Sequence, residues 1–399
     1  IGYGQWTFGD ENLIKSKIKK LKTIISKTGR TIIFCFDFTL AENKKEIIQI
    51  MEENKDAELL WIGAEKEPFD HPRIDCVFWP ADMLLQNKQY KKFNDVEKEP
   101  FILKETQRLI ETWHDASFGS MIHVAVAPCS PFSVSQELMR ESAKLARAHG
   151  VRLHTHLAEN DHDVAYTQEK FNCTPAQYAQ DLGWVGDDVW HAHCVKLDDE
   201  GAYLFAKTRT GLAHCPCSNM RLASGILPLR RFLDVGVPIG LGVDGSASND
   251  SGHMLNEARQ AMLLARVGRG NQPPQTKNGQ TFFGCDLGPS EMTPRDAIRL
   301  ATRGGAEVLG RAHEIGQIKV GYCADFAMFR TDTLSMAGGA VHDPLGALLL
   351  CASDNADYTI VNGRVIVREG QMTSVDIHKL VEKHNKLAVV SQRLLTDLA

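Results

Sequence analysis

Residues 151–194 read VRLHTHLAENDHDVAYTQEKFNCTPAQYAQDLGWVGDDVWHAHC, and this stretch decides the fold class. A short apolar run at 151–157 and a second one at 189–195 enclose a longer stretch, 163–182, whose apolar residues have helical spacing. Two strands separated by one helix are typical of a β-α-β unit, in which the strands run parallel. The stretch therefore predicts an α/β fold.

The same alternation continues on both sides of this stretch. Further apolar strands are predicted at 122–127, 211–215 and 237–243. Helices are predicted at 103–113 and 136–149, and before each of the later strands. Five successive strands with helical crossovers favour a (β/α)8 TIM-type barrel, and an open parallel sheet is the alternative.

Polar side chains stand at the ends of four of these strands. His156 and His193 end two of them, His214 and Cys215 end the next, and Asp244 ends the last. In a barrel of this type the carboxyl ends of the strands meet at the active site. Imidazole and carboxylate groups suit Zn²⁺, so the pattern predicts a zinc site with one position kept for water. For any one of these histidines taken singly, a hydrogen-bonded core residue is the alternative interpretation.

Other catalytic motifs do not fit this sequence. The zinc site of cytidine deaminases needs H-x-E and P-C-x-x-C, whereas here the acid follows His156 by three residues and the Pro-Cys pairs lack a second cysteine at that spacing. The motifs H-E-x-x-H and G-x-S-x-G are absent from the sequence. Cys215 and Cys217 are spaced as C-x-C, which favours structural thiols over a metal or redox site.

Composition limits the classes of function. The 399 residues are 43% hydrophobic and 24% charged with a formal net charge of -5, which excludes a disordered chain and argues against a nucleic-acid-binding protein. No apolar stretch approaches the ~20 residues that span a bilayer, and the first residues lack an export signal. The ten cysteines are scattered, as in reduced proteins. We therefore predict a cytoplasmic protein.

The beginning of the chain differs in composition from the rest. Residues 1–100 contain 14 Lys and 2 Arg, whereas residues 101–399 contain 10 Lys and 19 Arg. Residues 1–94 are left unassigned, and both an accessory domain and foreign coding sequence remain as interpretations. The segment has no glycine-rich phosphate loop, so nucleotide binding is not supported there. Spacing predicts the following elements in this segment: helices at 11–27 and 44–53, and strands at 31–38 and 58–62.

Four motifs in the remainder resemble a known family. They are HTHLAEN (154–160), HAHCVKL (191–197), HCPCSNMRLASG (214–225) and LGVDGSASND (241–250). Their residues resemble motifs of the amidohydrolase superfamily, in the branch of aminohydrolases that deaminate purines, pyrimidines and triazines. Within that branch they are most similar to the 8-oxoguanine deaminase group. The resemblance covers residues 95–399. It implies a barrel over 95–310, an accessory β-sandwich over 311–372 and a C-terminal helix over 373–399.

The resemblance also implies a role for each strand-end residue. His156 matches a zinc ligand on the fifth barrel strand, and Asp244 matches the eighth-strand ligand that also acts as general base. Glu159 matches the acid that moves a proton on the substrate ring. His193 matches the residue that hydrogen-bonds the attacking water and the tetrahedral centre. One zinc ion per chain is implied.

Further residues of these motifs have implied places near the site. Cys129, Glu159 and Asn219 are expected to contact the substrate. His154 and His191 precede His156 and His193 by two residues, and residues so spaced on a strand point the same way. We therefore expect His154 and His191 to lie one layer deeper in the barrel, with a structural role.

One motif of the family is missing from its usual place. The resemblance implies two more zinc ligands from an H-x-H on the first barrel strand, but the only histidines before residue 149 are His71, His114 and His123. We therefore expect the first barrel strands to be missing or replaced, as in a chimera or an enzyme fragment behind a foreign segment. Such a chain is expected to bind zinc weakly and to be a poor deaminase.

Two hypotheses about function follow. The first is zinc-dependent hydrolytic deamination of an oxidised purine, 8-oxoguanine to urate plus ammonia, with guanine, isocytosine or a triazine as alternative substrates. The second is a catalytically incomplete chain that binds metal weakly or not at all. The implied partner is a small heterocycle, with no nucleic acid and no membrane, and a homodimer is the assembly to test.

Overall fold

A computed structural model of the chain describes residues 59–61, 74–77, 99–277, 280–351 and 355–398. The chain divides into two compact units, formed by residues 1–102 with 375–399 and by residues 103–374. None of the helices in the described ranges is long and apolar enough to cross a membrane.

The smaller unit contains a pair of parallel strands and the C-terminal helix. Strands β1 (Leu59–Trp61) and β2 (Ile74–Val77) pair in parallel, and α13 (Ile377–Leu398) ends the described chain. The strand predicted at 58–62 is therefore confirmed, whereas β2 was not predicted. The other elements predicted before residue 94 lie outside the described residues.

A parallel sheet occupies the centre of the larger unit, and within the described residues it has five strands. They lie side by side in chain order, as successive strands of a (β/α)8 barrel do. The strands are β3 (Ala125–Val126), β4 (Arg152–Leu157), β5 (Val189–His193), β6 (Gly211–His214) and β7 (Ile239–Leu241). All five were predicted from the sequence, with somewhat longer bounds.

Helices connect these strands, and their apolar residues build the core on one face of the sheet. Leu153, Val189, Leu212 and Ile239 alternate onto that face and belong to one buried cluster, in which Phe232 is fully enclosed. Burying each such side chain contributes about 1.5–3 kcal/mol. The helices up to β7 are α1 (Glu99–Trp113), α2 (Gln136–Ala148), α3 (Asp161–Phe171), α4 (Pro175–Asp181), α5 (Asp199–Thr208), α6 (Pro216–Arg221) and α7 (Leu229–Val235).

The single helix predicted at 163–182 is two helices in the structure. Asn172 ends α3 in the left-handed region with a φ of 51°. Thr174 then starts α4 with a capping box shared with Gln177, and Pro175 occupies the first turn. The apolar spacing is helical on both sides of this break, so periodicity missed it, although Asn, Thr and Pro are the residues that end and start helices.

The segment after β7 returns to the sheet and packs closely on it. It contains α8 (Met254–Gly270), the hairpin β8 (Gln275–Lys277) and β9 (Gln280–Phe282), a 3₁₀ helix (Gly288–Glu291), α9 (Pro294–Arg299), a short π-helix (Leu300–Gly304) and α10 (Gly305–Val308). A Cβ atom at Gly304 would lie 2.2 Å from the carbonyl oxygen of Ile239 in β7. Glycine is therefore required at Gly304 for this contact between backbones.

A small antiparallel sheet follows, where the resemblance implied an accessory β-sandwich. Its strands are β10 (Phe326–Met328), β11 (Tyr358–Val361), β12 (Arg364–Arg368) and β13 (Gln371–Met372), with α11 (Gly339–His342) and α12 (Pro344–Leu350) between the first two. The carboxylate of Glu314, which is 2% exposed, accepts the N–H of Gly119 at 2.7 Å and pairs with Arg311. Asn362 donates to the carbonyl of Gly119 at 3.0 Å, so the sheet is tied to the segment before β3.

Candidate active site

Three side chains that can bind a metal meet at the carboxyl ends of the parallel strands. His156 lies near the end of β4, His193 ends β5 and Asp244 follows β7. One ligand atom from each residue lies within 4.8 Å of the others. Among the described residues this is the one such group of His, Cys, Asp or Glu side chains. Its position is where a barrel enzyme has its active site.

His156 is held by a main-chain carbonyl of the neighbouring segment. Its Nδ1 lies 2.6 Å from the carbonyl oxygen of Cys129, which also accepts the backbone N–H of His156 at 3.0 Å. A carbonyl only accepts, so Nδ1 carries a proton and Nε2 is the nitrogen that can bind a metal. A histidine fixed in this way by a carbonyl is a common metal ligand.

His193 is almost fully buried, and its backbone has an unusual conformation. Its φ is 69° and that of the next residue, Cys194, is 53°, both in the left-handed region that non-glycine residues rarely adopt. The imidazole is 1% exposed and stacks on His156 with the ring centres 5.3 Å apart. Burial and the neighbouring His156 lower the pKa of His193 to about 4, so the ring is neutral near pH 7.

Asn219 determines which nitrogen of His193 carries the proton. Its Nδ2 lies 3.0 Å from Nδ1 of His193, and because an amide nitrogen only donates, Nδ1 accepts. The ring proton is then on Nε2, which lies 3.8 Å from both Glu159 Oε2 and Asp244 Oδ2. These distances are longer than a direct hydrogen bond, but a single water molecule can bridge the ring nitrogen and a carboxylate oxygen.

The side-chain direction of His191 differs from the expectation. His191 and His193 were expected to point the same way, but His191 faces the helices, where it stacks on Phe205 at 5.1 Å and its Nε2 contacts the Trp184 carbonyl at 2.9 Å. The positive φ at His193 is the reason, since it interrupts the regular alternation of the strand. On β4 the expectation holds, because His154 and His156 lie on one face with ring centres 5.8 Å apart.

Asp244 is a carboxylate surrounded by donors. Its Oδ2 accepts the hydroxyls of Ser218 at 2.6 Å and Ser248 at 3.0 Å, and its Oδ1 accepts the N–H of Gly245 at 2.7 Å. Burial by itself raises the pKa of Asp244, but these hydrogen bonds and the nearby His193 lower it below its ordinary value. The group is therefore an anion at neutral pH, as a metal ligand or proton acceptor must be.

Glu159 is the second carboxylate of the site, and its side chain is 18% exposed. Ser224 donates to Glu159 Oε1 at 3.2 Å, and the backbone N–H of Glu159 donates to Asp163 Oδ2 at 2.8 Å. The other oxygen, Oε2, faces His193. Glu159 is thus fixed beside the ring without belonging to the group of three metal-binding side chains.

The remaining predicted residues divide into those at the site and those away from it. Cys129 lies at the site, with its sulfur 4.0 Å from Nδ1 of His156, and Asn219 contacts His193. His214, which ends β6, and Cys215, which follows it, are buried outside the metal-binding group. Alternation on β6 puts His214 on the face of Leu212, toward the apolar core.

Sequence reasoning missed the hydroxyl groups that orient the two carboxylates. Ser218 and Ser248 bind Asp244, and Ser224 binds Glu159. All three lie inside motifs already singled out, HCPCSNMRLASG and LGVDGSASND. Serine next to a functional residue is too common to predict a contact, so only the geometry identifies these residues.

Comparison with known proteins identifies the family of the chain. A model of the Amidohydrolase family matches residues 44–366 of the chain. The chain belongs to the amidohydrolase family. The match begins ahead of residue 95, where the sequence motifs place the start of the resemblance, and it contains every strand-end residue described above.

Two curated relatives of this amidohydrolase are deaminases. The 8-oxoguanine deaminase of Pseudomonas aeruginosa is 42% identical over 293 residues, which are 73% of this chain and 61% of that protein. The isoxanthopterin deaminase of an unknown prokaryotic organism is 37% identical over 280 residues, which are 69% of this chain and 56% of that protein. The chain therefore spans about three fifths of the length of these relatives.

Solved structures share the fold of this amidohydrolase. The atrazine chlorohydrolase of Arthrobacter aurescens, solved in complex with zinc, has a TM-score of 0.67 and 26% identity, and the alignment covers 94% of this chain and 77% of that one. An adenosine deaminase of Xanthomonas campestris with bound zinc has the same TM-score of 0.67 at 23% identity, which concerns the fold alone. These likenesses confirm the predicted fold class, an α/β barrel of the amidohydrolase type.

The donor set of the site fits a divalent metal ion. His156 offers Nε2, since its Nδ1 is taken by the Cys129 carbonyl, and Asp244 offers a carboxylate that is ionised at neutral pH. His193 has its Nε2 proton directed at the site, so in this tautomer it donates a hydrogen bond and does not ligate. The arrangement therefore offers two ligands, one hydrogen-bond donor and one further carboxylate, Glu159.

Proposed function

We propose that this amidohydrolase catalyses the zinc-dependent hydrolytic deamination of an oxidised purine, with 8-oxoguanine as substrate and urate and ammonia as products. The observation that carries the proposal is the position of two carboxylates, Glu159 and Asp244, each 3.8 Å from Nε2 of His193, with Asp244 also grouped with His156. Hydrolysis of a C–N bond on a ring needs one group to take a proton from water and another to give one to the ring. The 42% identity to an 8-oxoguanine deaminase supports the substrate.

His156 and Asp244 would hold the zinc ion. Nitrogen and carboxylate ligands suit Zn²⁺, and the side chain of Asp244 is 21% exposed, so a water molecule can reach the site. When bound, the ion lowers the pKa of its water toward ~7 and so supplies hydroxide at neutral pH.

The proton steps then follow from the residues of the chain. Asp244 accepts a proton from the water, while Glu159, in its protonated form, gives a proton to a ring nitrogen of the substrate. The water oxygen forms a bond to the ring carbon that bears the exocyclic amine, and His193 donates its Nε2–H to that oxygen. Asp244 passes its proton to the amine, the C–N bond breaks and ammonia leaves, and the proton of the new hydroxyl returns to Glu159 as the carbonyl forms.

The surroundings of the site suit a neutral, planar heterocycle. Cys129 lies beside His156 and Asn219 binds His193, in keeping with a pocket that has a few placed polar groups. A net charge of -5 gives no reason to expect an anionic polymer as substrate. We also propose that the protein is cytoplasmic and forms a homodimer.

The test is ammonia release by the purified chain loaded with Zn²⁺. We expect deamination of 8-oxoguanine, followed by urate formation, with a higher kcat/KM than for guanine, isoxanthopterin, isocytosine or an amino-triazine. If another of these compounds is the best substrate, the proposed deamination stands but 8-oxoguanine is not the substrate. If the chain deaminates none of them, even when a segment bearing H-x-H is supplied, the proposed reaction is wrong.

A second candidate is that this chain by itself is catalytically incomplete. The observation that favours it is the lack of any H-x-H before residue 154, which leaves His156 and Asp244 as the ligands that the chain is expected to provide. Two ligands in place of four should weaken zinc binding by several kcal/mol. We therefore expect low turnover that rises when a first strand bearing H-x-H is fused to the chain. One tightly held equivalent of zinc and full turnover without that segment would contradict this candidate.

A further inference from the structure

Glu257 is a fully buried carboxylate that the proposed reaction does not use. It lies in the first turn of α8 and is 0% exposed. In the described part of the chain no lysine, arginine or histidine forms an ion pair with it. An ionisable group without a charged partner is costly to bury, so its hydrogen bonds must provide the compensation.

The hydrogen bonds of Glu257 go to two separate loops. Oε2 accepts the backbone N–H of Cys217 at 3.2 Å, in the segment after β6, and the Cys217 thiol also contacts the carboxylate. Oε1 accepts Nδ2 of Asn249 at 2.6 Å, in the segment after β7. One side chain from α8 thus connects the two segments that follow neighbouring strands of the sheet.

Asn249 carries this connection to the backbone beside Asp244. Its Nδ2 also donates to the carbonyl of Val243 at 2.7 Å, directly before Asp244. Its Oδ1 accepts from Ser251 at 3.2 Å and from the N–H of Gly252 at 3.3 Å. The side chain is 5% exposed, so the loop is built around it. Asp244 itself has a φ of 60°, a conformation that needs support from its neighbours.

Cys217 leads directly into two residues that contact the site. Ser218 donates to Asp244 Oδ2 at 2.6 Å, and Asn219 donates to Nδ1 of His193 at 3.0 Å. The position of the Cys217 backbone therefore affects both the orientation of Asp244 and the tautomer of His193.

We infer that Glu257 is a positioning residue that holds the Ser218–Asn219 segment and the Asp244 loop in register for the reaction. The inference rests on the proposed function for its catalytic consequence, but not for the ordering of the two loops. The hydrogen bonds of Glu257 go to Cys217 and Asn249, and not to the proposed ligands His156 and Asp244. Glu257 acts through Cys217 and Asn249.

The main test is Glu257→Gln, which keeps the shape of the side chain. Glutamine has one acceptor oxygen, whereas Cys217 and Asn249 each donate to a separate oxygen of Glu257. We expect faster hydrogen–deuterium exchange in residues 215–222, in residues 243–253, or in both. We also expect kcat to fall about 10- to 100-fold with KM changed less than about threefold, because a displacement of catalytic groups costs rate more than binding. In the Co²⁺-loaded protein the visible absorption of the metal should change.

The matched control is Glu314→Gln. Glu314 is also a buried carboxylate that accepts a backbone N–H, but it lies at the junction with the antiparallel sheet. This variant should lose thermal stability and leave the exchange of both loops, the Co²⁺ absorption and kcat as in the wild type. A general effect of removing a buried carboxylate would instead appear in both variants.

A second variant tests the route through Asn249. Asn249→Ala should speed exchange in residues 243–253 and leave 215–222 protected, and it keeps the test available if Glu257→Gln does not fold. In the double variant the losses in kcat should be less than additive, since both changes break one connection. Full additivity would overturn the role of Asn249.

The outcomes separate the inference from the proposed function. If Glu257→Gln leaves loop exchange, Co²⁺ absorption and kcat unchanged, the positioning role is wrong. If the wild-type protein deaminates nothing, the proposed function fails, and hydrogen–deuterium exchange still decides the role of Glu257.

Discussion

His191 and His193 are two histidines of one strand, two residues apart and both almost fully buried, yet their surroundings have nothing in common. His191, 0% exposed, lies against Phe205 and the carbonyl of Trp184 on the helix side of the sheet. His193, 1% exposed, lies beside His156 and two carboxylates. Burial and residue type are the same, so neither explains the difference. The left-handed backbone at His193 does, because it turns the end of the strand toward the site.

A milder contrast occurs on the neighbouring strand. His154 and His156 share a face, but His154 stacks on Trp190 with the ring centres 4.9 Å apart, and burial lowers its pKa to about 4. His156 instead binds the carbonyl of Cys129. The last residues of each strand and the loop that follows them form the site. The residues that precede them in the same strands form the structure that supports it.

The largest effect should come from the site itself. Glu159→Gln is expected to lower kcat about 10²- to 10⁴-fold, with metal still bound, because Glu159 moves protons and does not ligate. Turnover and metal content of the same preparation are the measurements. Asp161→Asn, which changes an exposed acid two residues away, is the control and should behave as wild type. Near-normal turnover of Glu159→Gln would remove Glu159 from the mechanism.

The comparison of the two histidines can be tested by exchanging each for alanine. His191→Ala should lower the free energy of unfolding by about 2–4 kcal/mol, because it leaves a cavity and an unpaired carbonyl at Trp184. The folded variant should keep its turnover. His193→Ala should lose turnover while metal remains bound. Urea unfolding measures the stability of both variants, and initial rates measure their turnover. If His191→Ala loses activity as His193→Ala does, the two histidines do not have different roles.

The inner histidine should also make stability depend on pH. Burial lowers the pKa of His191 to about 4, whereas in the unfolded chain it has its ordinary value of 6.5. Between these two values the unfolded chain binds a proton that the folded chain does not, so the free energy of unfolding falls as the pH falls, by up to about 3 kcal/mol. His191→Phe removes this titration and should lose less stability between pH 7 and 4. If the free energy of unfolding of the two proteins depends on pH in the same way, the assigned surroundings of His191 are wrong.

The smallest effect is expected at Asn219. Asn219→Leu removes the donor that fixes the tautomer of His193, and turnover should fall about 10-fold, in line with the loss of one hydrogen bond. Stability should be unchanged or higher, because Oδ1 of Asn219 is buried without a hydrogen-bond partner among the described residues. Initial rates and thermal melts measure the two quantities. If turnover is unaffected, Asn219 does not control His193.

The strand order and most helix positions could be predicted because apolar periodicity reports directly on them. The five strands β3–β7 follow short runs of Val, Ile, Leu and Ala between helical stretches. The break at Asn172–Thr174 was missed because apolar spacing continues across it. Strand β3 is shorter than the predicted 122–127, since it pairs with β4 only at Ala125 and Val126.

The site could be predicted in part for a similar reason. His156, His193 and Asp244 were found because strand ends converge in any parallel barrel, so sequence position alone brings them together. The serine hydroxyls, the Asn219 contact and the Glu257 connection were not found. They depend on loop conformations, and loops follow no periodic pattern.

By itself the sequence determined the α/β fold, the strand ends that carry metal-binding groups, and the motifs that connect this chain to amidohydrolases, because these depend on local periodicity and on residue type. Only the tertiary structure decided that His191 faces the helices, which nitrogen of His193 carries the proton, and how Glu257 joins two loops. Side-chain direction at a strand end depends on one φ angle, and a tautomer depends on the partner of the other nitrogen. Both are set by contacts between segments that are distant in sequence.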